Sequence, residues 1–326
     1  GSTVATSSQS TTINDDDAIA LLLTGTSSVT EGSACSYAVS LKDVGLGAGQ
    51  SVMITLDSAS GSAIEGRDFA GLLAAGLQAA LPVVVLSNQT TDPQTGAVTV
   101  TATNTGVSDL SAGSQLLTFS LGTTPDAAVE GDETFSLSLR VGAAAQPGSP
   151  LTTTIVDNDA ATVRLSGPGT VAEGSVATPY TVSMGSGVGL GAGQSVSFTL
   201  DTAANGDSAS EGSDYAALLS GDISAASNGL SLVKTTGAGG VVTVTATNSS
   251  STDLAAGAAL VTFDVRTNDD AIVESPETYT TTIGGGVGVG VEGASTQTTT
   301  ITDNDGSVLD LTGPGSVAEG QTSTTY

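Results

Sequence analysis

Glu130-Gly131-Asp132-Glu133-Thr134-Phe135-Ser136-Leu137-Ser138-Leu139 reads as an acidic turn that runs straight into a strand. From Thr134 onward polar and apolar residues alternate with a period of two, the pattern of a strand with one face on a core and the other in water. The same alternation marks Ser51-Val52-Met53-Ile54-Thr55-Leu56, Val98-Thr99-Val100-Thr101 and Ser195-Val196-Ser197-Phe198-Thr199-Leu200, each bounded by Gly, Asp or Asn. Thr, Ser, Ala, Val and Gly dominate the 326 residues. That mixture suits short strands and tight turns and is poor in the Leu/Glu/Lys vocabulary of helices.

The opening stretch has a copy further on: EGDETF over Glu130–Phe135 becomes ESPETY over Glu274–Tyr279. Val29-Thr30-Glu31-Gly32 returns as Val171-Ala172-Glu173-Gly174 and as Val317-Ala318-Glu319-Gly320, Gly45–Val52 (GLGAGQSV) as Gly189–Val196, and Val98–Asn104 (VTVTATN) as Val242–Asn248. Glu65-Gly66-Arg67-Asp68-Phe69 becomes Glu211-Gly212-Ser213-Asp214-Tyr215. An acidic triplet closes each copy, at Asp15–Asp17, Asp157-Asn158-Asp159 and Asp303-Asn304-Asp305. The chain therefore divides into the end of a preceding repeat (1–17, led by an appended Gly1-Ser2), a first repeat (18–159), a second (160–305) and the start of a third (306–326), and it reads as a segment of a longer array. Roughly seven strand-like runs per repeat predict an all-β fold of tandem immunoglobulin-like antiparallel β-sandwiches, each with its own core. Phe69–Leu77 and Tyr215–Leu219 depart from strand character and read as a short helical turn in an insertion, their apolar residues capping the sandwich edge.

Composition excludes whole classes of function. A formal charge of −27 with six basic residues leaves no surface for nucleic acid or anionic lipid, and makes cations the natural partners. The absence of histidine removes Ser-His-Asp and Cys-His catalysis and most zinc and iron sites. A glycosidase built on carboxylates alone is argued against by an aromatic content of 3%, too little for sugar platforms, so the chain reads as a non-enzyme. Cys35 is alone, cannot form an internal disulfide and has no basic neighbour to activate it, so it reads as a small buried apolar residue. No run approaches the roughly 20 apolar residues of a membrane span, and no membrane insertion is expected. Asp303-Asn304-Asp305-Gly306-Ser307 does not continue as an EF-hand loop, and GLGAGQ lacks the Lys-Ser/Thr of a phosphate loop.

Clustered carboxylates repel one another unless a cation sits among them, and a hard divalent ion is the obvious candidate. With Glu-Gly, Glu-Gly-x-Asp-Phe/Tyr, Asp-x-x-x-Glu-x-x-Glu-Thr-Phe/Tyr and Ile-x-Asp-Asn-Asp in this order, the chain resembles the Calx-beta family, calcium-binding β-sandwiches of exchanger regulatory regions and large bacterial surface proteins. The resemblance implies Ca2+ held by loops at one end of each sandwich. Carried over by position, the ligands are Glu31, Asp68, Asp126, Glu130, Glu133, Asp157, Asn158 and Asp159 in the first repeat. In the second they are Glu173, Asp214, Asp269, Asp270, Glu274, Glu277, Asp303, Asn304 and Asp305. Pro125 stands where the second repeat has Asp269, which leaves the first repeat one ligand short, and Asn158 and Asn304 each offer a carbonyl oxygen in the middle of the triplet. Asp57, Asp109, Asp201 and Asp253 also recur and read as turn or strand-end residues; Glu65 and Glu211 stay open.

Three functional readings follow. In the first, the repeats are structural extenders of a secreted or cell-surface adhesin, bacterial in character, whose partners are calcium ions and neighbouring repeats and whose joints Ca2+ stiffens; the adhesive target is unknown. In the second, the repeats themselves bind a glycan or receptor. In the third they sense calcium and regulate a neighbouring domain, which requires a far tighter site.

Overall fold

The computed structural model describes residues 9–11, 17–142, 144–146, 149–175, 179–203, 206–313, 315–316 and 318–321. Asp15 and Asp16 of the first triplet, residues 176–178 of the second-repeat stretch that corresponds in sequence to that of Cys35, and Val317 lie outside the described residues. The fold is all-β, and the chain divides into two compact units: Gly1–Asp126 with Gly131–Asn158, and Ala127–Glu130 with Asp159–Tyr326. Among the described residues no helix is long and apolar enough to cross a membrane.

In the first unit one sheet runs in the order Leu21–Gly25, Ala34–Leu41, Gln115–Gly122, Gln78–Ala79. The other runs Ser28–Thr30, Leu151–Val156, Glu133–Val141, Ser51–Ser60, Val98–Asn104, Val84–Thr91. The second unit repeats the plan. Its smaller sheet runs Ile223–Ala225, Ala259–Phe263, Tyr180–Met184, Thr162–Ser166, Gly290–Val291, and its larger one Thr170–Ala172, Thr296–Thr302, Glu277–Gly285, Ser195–Asp201, Val242–Asn248, Leu230–Thr236. Alternation in sequence becomes alternation in burial: Phe135, Leu137 and Leu139 are in the core while Thr134, Ser136 and Ser138 are not.

Pairing is antiparallel except at short strands. Ser28–Thr30 lies parallel to Thr154–Val156, and Thr170–Ala172 parallel to Thr300–Thr302. This is where the structure departs from a purely antiparallel expectation, and it decides the site: two parallel strands leave a sheet at the same end, so the residues that follow them come out side by side.

Eight of the ten aromatic residues stack in pairs. Tyr37 stacks on Phe119 with ring centroids 5.2 Å apart, and Tyr180 on Phe263 at 5.1 Å. Phe69 stacks on Phe135 at 4.2 Å, and Tyr215 on Tyr279 at 4.8 Å. All eight are buried. Burying the Tyr215 ring raises its phenol to about 12, and its hydroxyl donates to the carbonyl of Thr202 at 2.8 Å. Cys35 is fully buried, and burial pushes its thiol up.

The segments read as helical turns form only single 3-10 turns, Ala74–Gly76 and Ser220–Asp222, each leading into the edge strand Gln78–Ala79 or Ile223–Ala225. Leu72, Leu77, Leu218 and Ile223 are buried in the cores, so these segments both extend a sheet edge and fill the interior. Their apolar spacing is served by packing; two glycines in the first segment, Gly71 and Gly76, work against a longer helix. Asn104 and Asn248, which end the VTVTATN strands, are fully buried. Asn104 donates to the carbonyls of Leu46 and Ser108, Asn248 to those of Leu190, Gly191 and Thr252. Asp109 and Asp253 accept the N–H groups of Ala48 and Ala192 in the same GLGAGQ loops. These repeated polar residues are turn fasteners, as read for the two aspartates.

Candidate metal centre

In the second unit the acidic residues converge at the end where the parallel pair leaves the larger sheet. Glu173 follows Thr170–Ala172 and donates its N–H to the carbonyl of Thr302 at 2.9 Å, which sets it beside Asp303, the first residue after Thr296–Thr302. Gly174 makes the turn possible: its φ is +66°, and a Cβ there would lie 2.6 Å from Asp269. The recurring Glu-Gly pair is thus a carboxylate followed by the residue that lets the chain bend away from it.

The remaining acids are brought in by the aromatic stack. Asp214 immediately precedes Tyr215, and Glu277 lies two residues before Tyr279; stacking the two rings sets the two carboxylates together. A local loop then aims Asp214, whose Oδ2 accepts the N–H of Ser210 at 2.5 Å. Asp303 is held by an Asx turn, Oδ1 accepting the N–H of Asp305 at 2.7 Å while Oδ2 accepts that of Glu274 at 2.8 Å. The N–H of Asp270 donates to Glu173 Oε1 at 3.1 Å.

Three overlapping groups result: Glu173, Asp270 and Glu274; Glu173, Asp303 and Asp305; Asp214, Glu274 and Glu277. Within each, one oxygen per residue lies within 4.8 Å of the others. Among the described residues, seven carboxylates and no Lys or Arg line the cavity between these groups, which encloses about 50 Å³. Four carboxyls of the cluster are disfavoured in their charged form. Glu173, Glu274, Glu277 and Asp305 all have carboxyl groups raised above the ordinary range, in each case by desolvation first and then by neighbouring carboxylates. For Glu277 the main neighbour is Asp214; for Asp305 it is Asp303.

Asp269 lines the cavity, and its Oδ1 accepts a hydrogen bond from Asn304 Nδ2 at 3.3 Å. Asn304 also donates to the carbonyl of Glu173 at 2.9 Å. Its amide nitrogen is turned to these loops and clips them together. Asn158 does the same in the first unit, donating to the carbonyl of Glu31 at 3.4 Å.

The first unit builds a related corner with a different ending. Asp126 donates its N–H to Glu31 Oε1 at 2.6 Å, and Asp157 Oδ2 accepts the N–H of Gly131 at 2.9 Å. Phe69 on Phe135 brings together Asp68, 6% exposed, and Glu133. Arg67 enters there: its Nε lies 2.7 Å from Asp68 Oδ1 and its Nη2 3.6 Å from Glu133 Oε1. Sequence reasoning missed this residue's part; the signal was its replacement by Ser213 in the otherwise matching motif. Glu130 and Asp159 belong to the second compact unit. Glu65 accepts a hydrogen bond from Ser58 at 2.7 Å and is outside the groups above.

No family model matches the chain. No curated protein matches it either. Among solved structures it is similar to CBD12 from CALX1.2, with a TM-score of 0.28 and 13% identity over 87% of this chain and 99% of that one. It is also similar to the C-terminal domain of the Streptococcus agalactiae AgI/II polypeptide BspA, with a TM-score of 0.26 and 10% identity over 85% and 95% of the two chains. A third is FdeC, an Escherichia coli adhesin, with a TM-score of 0.23 and 14% identity over 83% and 74%. Likeness at this level carries no functional argument.

Proposed function

We propose that the chain is a calcium-binding structural segment of a surface protein, in which Ca2+ draws the loop-end carboxylates of each sandwich together and stiffens the exit of the chain toward the next repeat. The observation that carries this reading is Asp305 Oδ2, an oxygen buried with no hydrogen-bond partner beside Asp303 and Glu173. A buried carboxylate oxygen left unsatisfied is costly unless a cation completes it.

The donor set fits the ion. Calcium takes six to eight oxygens at 2.3–2.6 Å, so two oxygens on one ion are at most about 5.2 Å apart. The 4.8 Å groups fall inside that limit, and they consist of oxygen donors only. Glu173, Asp270, Glu274, Asp303 and Asp305 would hold one part of the cluster, Asp214 and Glu277 the other. Bound Ca2+ would supply the positive charge that these desolvated, mutually repelling carboxylates lack.

The link to stiffness is chain position. Asp303 and Asp305 directly follow the last strand of the second repeat, and Asp157 directly follows Leu151–Val156 in the first. Fixing these residues fixes the direction in which the chain leaves the sheet. Calorimetry of the whole chain tests the reading: millimolar calcium raises the unfolding temperature and chelator lowers it, with heat of binding in a titration. A chain whose melting is the same in calcium and chelator, and which releases no heat, refutes it.

A further inference from the structure

The inference concerns Arg67 and rests on the calcium reading above. Asp68 and Asp214 are held in the same way. Each Oδ2 accepts an N–H from four residues earlier, Ile64 at 2.6 Å and Ser210 at 2.5 Å, and each main-chain carbonyl accepts an N–H at 2.9 Å, from Thr124 and Asn268. The difference lies at the other carboxylate oxygen. In the first repeat Asp68 Oδ1 faces the Arg67 guanidinium, which also reaches Glu133. In the second, Asp214 faces Glu274 and Glu277 with Ser213 where the arginine would be.

We propose that Arg67 is a tethered cation that takes one calcium position of the first repeat, so that the first repeat binds fewer ions than the second and sets this corner without metal. A guanidinium is charged at every pH at which the fold survives and presents a fork of donors that suits two carboxylates. Being covalently adjacent to Asp68, it competes at an effective concentration of millimolar or more, so calcium at extracellular levels gains little by displacing it. A permanent cation sits beside Asp68 and Glu133 in the first repeat, whereas Ser213 stands in its place beside Asp214 in the second.

The test is a calcium titration of the whole chain, first freed of metal, as wild type, Arg67→Ser and Ser213→Arg, with circular dichroism to confirm folding. Arg67→Ser is expected to bind about one more ion per chain and Ser213→Arg about one fewer, or one ion at least about tenfold more weakly. In chelator, Arg67→Ser also melts earlier, and calcium restores it. If the wild type binds calcium but both variants keep its ion count and affinities, the arginine proposal falls while the calcium reading stands. If neither the wild type nor Arg67→Ser binds calcium, both fall. Should Arg67→Ser fail to fold, Ser213→Arg decides, and an unchanged count overturns the proposal.

Discussion

Two five-residue turns that end on a buried aromatic, Glu65–Phe69 and Glu211–Tyr215, hold an aspartate in matching hydrogen bonds and differ at Arg67 and Ser213. In the first repeat the carboxylates near the stack have a cation supplied by the chain. In the second no Lys or Arg among the described residues lines the cluster, and Glu277, Glu274 and Glu173 are pushed up. The comparison teaches that the backbone frame and the charge balance of this corner are separable. The frame comes from the Gly-Asp-aromatic pattern and its stacking partner, the balance from one exposed side chain.

The frame is the first thing to break. Phe135→Ala and Tyr279→Ala remove equivalent halves of the two stacks and are each expected to cost about 3–5 kcal/mol, as large-to-small changes of buried aromatics do. Calorimetry of the two variants also identifies which transition belongs to which repeat. If Tyr279→Ala left the calcium affinity of the second repeat unchanged, the stack would not be what brings Asp214 to Glu277.

Calcium itself comes next. At a free concentration a hundred times the dissociation constant, each ion adds about 2.7 kcal/mol. The transition labelled by Tyr279→Ala should therefore rise more on calcium addition than that labelled by Phe135→Ala. Equal shifts would break the comparison.

Asp305→Asn sharpens it at a single atom. Removing a charge from a buried position without a partner should raise the melting temperature in chelator and lower the calcium affinity, so the two curves of the second repeat move toward each other. A fall in chelator as well as in calcium would mean that the carboxylate has a structural partner.

pH separates the repeats in metal-free solution. The folded-state carboxyls of Glu173, Glu274, Glu277 and Asp305 are raised, so the folded second repeat binds more protons than its unfolded chain. Their contribution is complete below the unfolded carboxylate range, about pH 4, and is lost as pH rises through the folded values. Glu292, held low by Ser186, has finished titrating in both states above about pH 5.5 and does not oppose this. In chelator the second transition should melt higher near pH 5.5 than near pH 7.5, with calcium reversing the trend because protons then compete with the ion. A transition that rises with pH in chelator would contradict the assigned repulsion.

The smallest effect is a control. Asp253→Ala removes the carboxylate that accepts the Ala192 N–H in the GLGAGQ loop and should cost about 1 kcal/mol without altering the calcium count. A changed count would extend the cluster beyond the loops described.

Much of this was legible from residue order. Alternation in Thr134–Leu139 marks a half-buried strand whatever surrounds it, because side chains of a strand point to opposite faces by geometry. The recurrence of five motifs in register marks the acids as a set, since a single Glu31 or Asp126 would pass for an ordinary solvated turn residue. Arg67 was not legible. Beside Asp68 in sequence it looks like one half of a neighbouring charge pair, and that it also reaches Glu133, 66 positions away, depends on Phe69 stacking on Phe135. The donor role of Asn304 was hidden for the same reason: either face of an amide can be presented, and the packed loops select which.

By itself the sequence determined the all-β class, the two copies and the chemical kind of the cluster, oxygen-rich and without histidine, because these follow from periodicity, repetition and side-chain inventory. Only the tertiary structure decided which oxygens share a space and where a cation is already present. The parallel strand pair that sets Glu173 beside Asp303, and the stacked rings that set Asp214 beside Glu277, join residues 130 and 63 positions apart through packing, and packing depends on the whole core rather than on any local pattern.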